Sequence, residues 1–295
     1  MMSYFCILVI SLDLERQRTC SPKPQSQTRF KYPRAVNSLP QATGITLHFI
    51  FKIKETSMKT TLLASTALLF SAGIAAAETT VQSCDRSVTF DAPPARAISN
   101  DVNLTEMMLA LGLSDRMVGY TGISGWKTLD EEMTAGVEEL PELSAQYPSR
   151  EVLVGADADF FFAGWNYGMK VGGEVTPETL EPFGIQVYEL TESCTHIMDK
   201  NTASMDDMYV DLLNLGQIFD VEEKANELVE GYQAELAAFT QELDAGDPLR
   251  VFVYDSGEDT PFTAGGYAMP TALIEAAGGV NIMEDFDKSL SLIHI

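Results

Sequence analysis

The longest uninterrupted helical pattern constrains this chain's fold more than any other feature. From Asp220, apolar residues recur at Val221, Ala225, Leu228, Val229, Tyr232, Leu236, Phe239 and Leu243, steps of three and four that put them on one helix face. Asp220 and Glu223 have capping-box spacing. A helix running to Leu243 is roughly 34 Å long at 1.5 Å per residue, a length that suits a connector. "DAGDPLR" breaks the pattern and "RVFVYDS" opens a new strand. Coiled-coil pairing is the rival reading, but the pattern covers only about three heptads and has no strict a/d seam.

On either side, short apolar runs alternate with helical patterns, which predicts α/β layers. Strands are expected at Val88–Phe90, Ala97–Ser99, Met117–Tyr120, Phe160–Ala163, Val187–Leu190 and Val251–Tyr254. Asn103-Leu104-Thr105-Glu106 has capping-box spacing ahead of a helix that Gly112 stops. Thr176-Pro177 opens another helix, which Gly184 closes. The organisation that follows is an N-terminal lobe over 78–219, a connecting helix over 220–245 and part of a second lobe over 246–289.

Both ends of the chain carry foreign signatures. "MKTTLLASTALLFSAGIAAAETT", from Met58, has the parts of a secretory signal peptide: Lys59, an apolar run from Leu62 to Ile74, and Ala75-Ala76-Ala77 at the cleavage position. The run is shorter than the ~20 residues that span a bilayer. A signal over 58–77 makes Glu78 the mature start and the periplasm the destination, and no Cys stands at the cleavage point for a lipid anchor. Formal charge is +5 over residues 1–57 and −29 after them, so the upstream piece reads as translated leader DNA. At the other end, "LSLIHI" (290–295) matches what a sequencing-library adapter would encode, and the natural sequence is expected to continue differently near Ser289.

Two cysteines remain beyond the signal, Cys84 and Cys194, and an isolated pair in an oxidising compartment reads as a disulfide. Cys194 also stands two residues before His196, but one Cys and one His make half of a closed zinc site. Catalytic and nucleic-acid readings fare worse. "YTGISGW" lacks the G-x-S-x-G spacing of a nucleophile elbow, and a triad would have only His196 to draw on. The acidic charge argues against nucleic acid, and no phosphate-cradling Gly-Lys-Ser/Thr loop occurs. Neither a catalytic residue nor a resident metal or cofactor is expected.

"DTPFTAGGYAMPTALIEAAGGVNIM", together with "RAISNDVNLTEMMLALGLSDRMVGYT" and "PSREVLVGADADFFFAG", resembles the periplasmic binding proteins that deliver cobalamin and ferric siderophores to ABC importers. The resemblance covers about residues 86–289, with Ala158-Asp159 in place of the family's Pro-Asp. It implies two Rossmann-like lobes joined by one rigid helix, a helical-backbone binding protein whose C-terminal lobe is incomplete in this chain. Its partners would be an inner-membrane permease and a small metal chelate, and the protein would act as a monomer. A stiff connector limits closure, so the ligand must fill a nearly preformed cleft.

Such a cleft lies at strand ends. The loops there carry Asn100, Asp101, Tyr120, Thr121, Trp126, Trp165, Asn166 and Tyr167, with Tyr267 and Met269 facing them from the second lobe. Aromatic faces with polar edges suit a bulky amphipathic chelate. An acidic domain disfavours trianionic catecholates and favours neutral or cationic hydroxamates, or cobalamin. A free metal ion or haem is the alternative cargo within the same fold, though one His is a poor start for an ion site. Glu151 matches by position the glutamate that docks such proteins onto permease arginines.

Overall fold

The computed structural model describes residues 78–125, 127–200, 202–242, 246–257, 259–287 and 290–292, all within one compact unit. The signal sequence and the upstream piece fall outside the described residues. Two short strands come first, β1 (Thr79–Ser83) and β2 (Arg86–Phe90), paired as an antiparallel hairpin. Then follow β3 (Ala97–Asn100), α1 (Val102–Ala110), β4 (Met117–Thr121), α2 (Glu131–Gly136), β5 (Glu142–Ser144), α3 (Arg150–Gly155), β6 (Phe160–Trp165), β7 (Gly168–Met169), α4 (Pro177–Leu180), β8 (Gln186–Glu189) and α5 (Met205–Ile218). The strands order as β5-β4-β3-β6, with β7 and β8 both pairing with β6, and every pairing is parallel.

Both faces of this sheet are covered, which is why its strands read as continuous apolar runs. Along β6, Phe160 and Phe162 pack into a core shared with α1, α5 and the next helix, while Phe161 and Ala163 pack into a second core with Leu153 and Leu180. The ring of Phe160 meets Phe219 edge-on at 5.1 Å. Pro177 begins α4 behind a Thr176–Thr179 capping box. The α1 start differs from expectation. Asp101, not Asn103, is its cap, accepting from the Val102 N–H, and the Asn103 Oδ1 has no hydrogen-bond partner.

The long helix is α6 (Glu222–Glu242), ~32 Å at 1.5 Å per residue. Its apolar face is buried only at the start. Ala225 and Val229 join the first lobe's core, Leu228 and Tyr232 lie at its edge, and Phe239 is exposed. Beyond it come β9 (Arg250–Val251), β10 (Phe262–Ala264), α7 (Met269–Ala276), β11 (Val280–Asn281) and β12 (Leu290–Leu292). β9 pairs with β11 in parallel, and β10 with β12 antiparallel. The "LSL" read as foreign thus forms a strand here. Val251, Val253, Ala264, Ala268 and Ile274 make a small core. It is tied by the buried Asn281, whose amide donates to Ala264 O and Thr271 Oγ1.

Candidate solute-binding site

The parallel strands β3, β4 and β6 end on one edge, the place where open α/β sheets hold ligands. Unusual backbone gathers there. Asp101 has φ 70 and ψ 165, a region that is essentially glycine-only. Gly122, Asn166 and Gly168 also have positive φ. Asp101 is fixed on three sides. Its N–H donates to Thr121 O at 2.8 Å, and its carboxylate accepts from the Val102 N–H at 2.7 Å and the Lys127 ammonium at 2.6 Å.

The expected site residues divide by depth. Asn100, Asp101, Tyr120, Thr121 and Trp165 are buried, so they form the floor and its supports. Trp165 is 6 % exposed and turns its indole N–H to the buried Glu189 at 2.8 Å, away from solvent. It packs with Ile98 and Phe161 in the second core. Asn166 is exposed and Tyr167 half-buried; these two are the accessible part of the set on the first lobe. Met269 packs against the first lobe's core. Trp126 lies outside the described residues.

Tyr147 and Glu192, which the sequence reading passes over, and His196, which it treats as an ordinary polar residue, complete the edge. Tyr147 donates its hydroxyl to Asn166 O, and burial pushes that hydroxyl up to about 12. His196 Nε2 is 3.2 Å from Asn166 Nδ2, and burial lowers the imidazole. Glu192 is buried beside Tyr167. Desolvation raises its carboxyl to about 7, and the Tyr167 hydrogen bond only partly offsets this. The charge of Glu192 in turn holds the Tyr167 hydroxyl well above its usual range. A Tyr just before Pro148 in a loop, and a Glu between Thr191 and Cys194, gave no periodic signal that could have singled them out.

From the second lobe, Tyr267 lines a concavity of about 480 Å³ with Thr202, Glu275, Glu284, Asp285 and Asp287. Burial and then Asp287 raise its hydroxyl. Lys127 pairs with Asp101, and Lys200 with Asp207 at 2.8 Å, while Lys170, just beyond β7, is exposed. Among the described residues no group of three or more His, Cys, Asp or Glu could hold a metal ion, and no helix is long and apolar enough to cross a membrane.

Away from this edge, Cys84 and Cys194 form a disulfide, which leaves no thiol for a Cys194–His196 metal pair. Glu151 stands in the first turn of α3 with its side chain 73 % exposed. Its own backbone N–H, and then the Ser149 hydroxyl, hold its carboxyl below the usual range. Arg150, next to it, lies over the Phe183 ring at 5.6 Å.

No curated protein sequence matches the chain. Solved structures do. A periplasmic binding protein from Veillonella parvula is similar at 26 % identity and a TM-score of 0.62, over 73 % of this chain and 71 % of that one. An ABC-type Fe3+-hydroxamate transport protein from Saccharomonospora viridis is similar at 25 % identity and a TM-score of 0.59, over 73 % of each. The vitamin B12 binding protein of Vibrio cholerae shares the fold at 20 % identity, with a TM-score of 0.53 over 69 % of this chain and 71 % of that one. The first and third of these neighbours are binding proteins by description. The family model for periplasmic binding proteins matches residues 99–292, about two thirds of the sequence, and the chain therefore belongs to the periplasmic binding protein family.

Proposed function

We propose that this chain is the solute-capturing component of an ABC importer, exported to the periplasm through the signal at 58–77, and that its solute is a ferric hydroxamate chelate. The observation that carries the choice of solute is the charge at the strand ends. Lys127 and Lys200 are each bound to an aspartate, and four carboxylates surround Tyr267. A trianionic chelate would enter among these carboxylates with few cations to pair its charge, at a large desolvation cost. Three hydroxamates neutralise Fe3+, so such a chelate arrives neutral, or cationic if it carries an amine. Tyr167, Tyr147, Asn166 and His196 offer the aromatic and amide contacts that it would use. The likeness to the hydroxamate transport protein of S. viridis agrees with this choice. Loaded protein would dock on its permease through Glu151 and act without turnover, as a monomer.

A fluorescence titration of protein expressed from the complete gene tests the reading. The probes are ferrioxamine B (cationic tris-hydroxamate), ferric enterobactin (trianionic catecholate), haem and cobalamin. Micromolar or tighter binding of ferrioxamine B, with the catecholate at least tenfold weaker, is expected. Preference for the catecholate, haem or cobalamin would replace the assigned solute.

A further inference from the structure

Asn100 ends β3 with no exposed surface, so it cannot touch a solute in this structure. Its side chain is nonetheless surrounded by the segments that can. The Oδ1 accepts from the Thr121 hydroxyl at 2.9 Å, at the end of β4. Gly122 sits so close that a Cβ there would lie 2.7 Å from that Oδ1, and a Cβ on Gly168 would lie 2.8 Å from the Asn100 Cγ. Both glycines have positive φ, 76° and 100°, so they combine a conformation and a close approach that other residues resist. Among the described residues the Nδ2 has no hydrogen-bond partner, and it has no accessible surface. Asp101, the next residue, holds its strained backbone through the Thr121 carbonyl.

An unpaired buried donor and a strained neighbour both oppose stability, and both persist only where the surroundings over-determine them. A leucine has the same number of side-chain heavy atoms and would remove the orphan donor, though it is bulkier than the amide. Packing alone therefore gives no reason for an amide here.

We infer that Asn100 is the positioning residue of the proposed solute site: one buried amide sets the height of the loops that follow β3, β4 and β6. Through Asp101 it places Lys127, through Thr121 and Gly122 the loop after β4, and through Gly168 the turn bearing Asn166 and Tyr167. The inference rests on the solute-binding reading for its effect on affinity, but its structural content can be tested without a solute.

The experiment combines hydrogen exchange with ferrioxamine B titration of full-length protein. In Asn100→Ala, and independently in Asn100→Leu, the amides of Asp101, Gly122 and Asn166 should exchange at least tenfold faster, with the Phe161 amide in β6 unchanged. Ferrioxamine B should bind about tenfold more weakly to either variant. Gly122→Ala should weaken binding in the wild-type background and weaken it less in the Asn100→Ala background, where the atom that its Cβ would strike is gone and only the cost of its positive φ remains. Unchanged exchange at the three amides, exchange raised equally at Phe161, or fast exchange with unaltered affinity would each overturn the inference. If wild-type protein fails to bind ferrioxamine B, the solute assignment falls, while the exchange data still decide whether Asn100 holds the loops.

Discussion

Glu189 and Asn100 occupy matching places, each the last residue of a parallel strand and each with no exposed surface, yet their surroundings are opposite. Glu189 accepts from Ser83 at 2.8 Å, from Arg86 Nε and Nη2 at 3.1 and 2.6 Å, and from the Trp165 indole at 2.8 Å. Asn100 accepts one hydroxyl and leaves its donor unpaired. A fully satisfied network rigidifies, and here it locks the β1–β2 hairpin to strand β8, beside the disulfide from the same hairpin. Asn100 and the strained Asp101 sit instead in the middle of the sheet, where the loops bear the accessible polar groups. One lobe thus divides into an anchoring edge and the centre that holds the proposed solute site.

The largest effect should come from the anchor. Cys84→Ala with Cys194→Ala opens a link between residues 110 apart, worth about 4–5 kcal/mol by the loop-entropy relation. Urea unfolding should show this loss, with chelate affinity within twofold of wild type. Next, Glu189→Ala strips the acceptor from Arg86 and Trp165. Removing one partner of a buried pair costs about 3–5 kcal/mol, and the low end is expected because Arg86 is partly exposed and can rehydrate. A large loss of affinity from either variant would erase the division.

Protonation sharpens the comparison, because one raised carboxyl lies on each side. Asp211, held by Tyr188 and Thr191, and Glu192, beside Tyr167, are both pushed up to about 7, chiefly by burial. The folded state keeps these protons where the unfolded chain has released them, so their contribution is full below about pH 4 and lost as pH rises through 7. Stability should fall by roughly 2–3 kcal/mol for each of the two groups between pH 5 and 8, at ~1.4 kcal/mol per pKa unit. Asp211→Asn should flatten part of that slope without altering affinity, whereas Glu192→Gln should flatten part of it and change chelate binding as well. The smallest effect on folding belongs to Glu151→Lys, within ~0.5 kcal/mol of wild type as for an exposed site. Affinity should stay within twofold while ATP-driven uptake through the cognate permease collapses, since exposed charges mainly steer and orient docking.

Elements whose cause is local were legible in the sequence. Phe160-Phe161-Phe162 announced a strand, Thr176-Pro177 announced a helix start, and the repeat from Val221 announced α6. Features caused by distant partners were not. Trp165 looked like a solute contact because nothing near it in sequence shows that Glu189, 24 residues on, takes its indole. Asp101 was missed as a helix cap because its conformation is one that sequence rules reserve for glycine. Glu192 and Tyr147 became site candidates only when folding brought them beside Tyr167 and Asn166. The repeat also gave the helix's face without its depth, since the tail of that face at Phe239 is exposed.

The most direct test of the solute-capture claim is to identify what the protein carries. Protein drawn from the periplasm of its own iron-limited host would be examined by native mass spectrometry. One iron and one hydroxamate chelator per chain, released together on unfolding, is the result the account predicts. Protein that emerges with a bare metal ion, with an anionic catecholate, or empty while chelate uptake proceeds normally in a strain lacking its gene would contradict it.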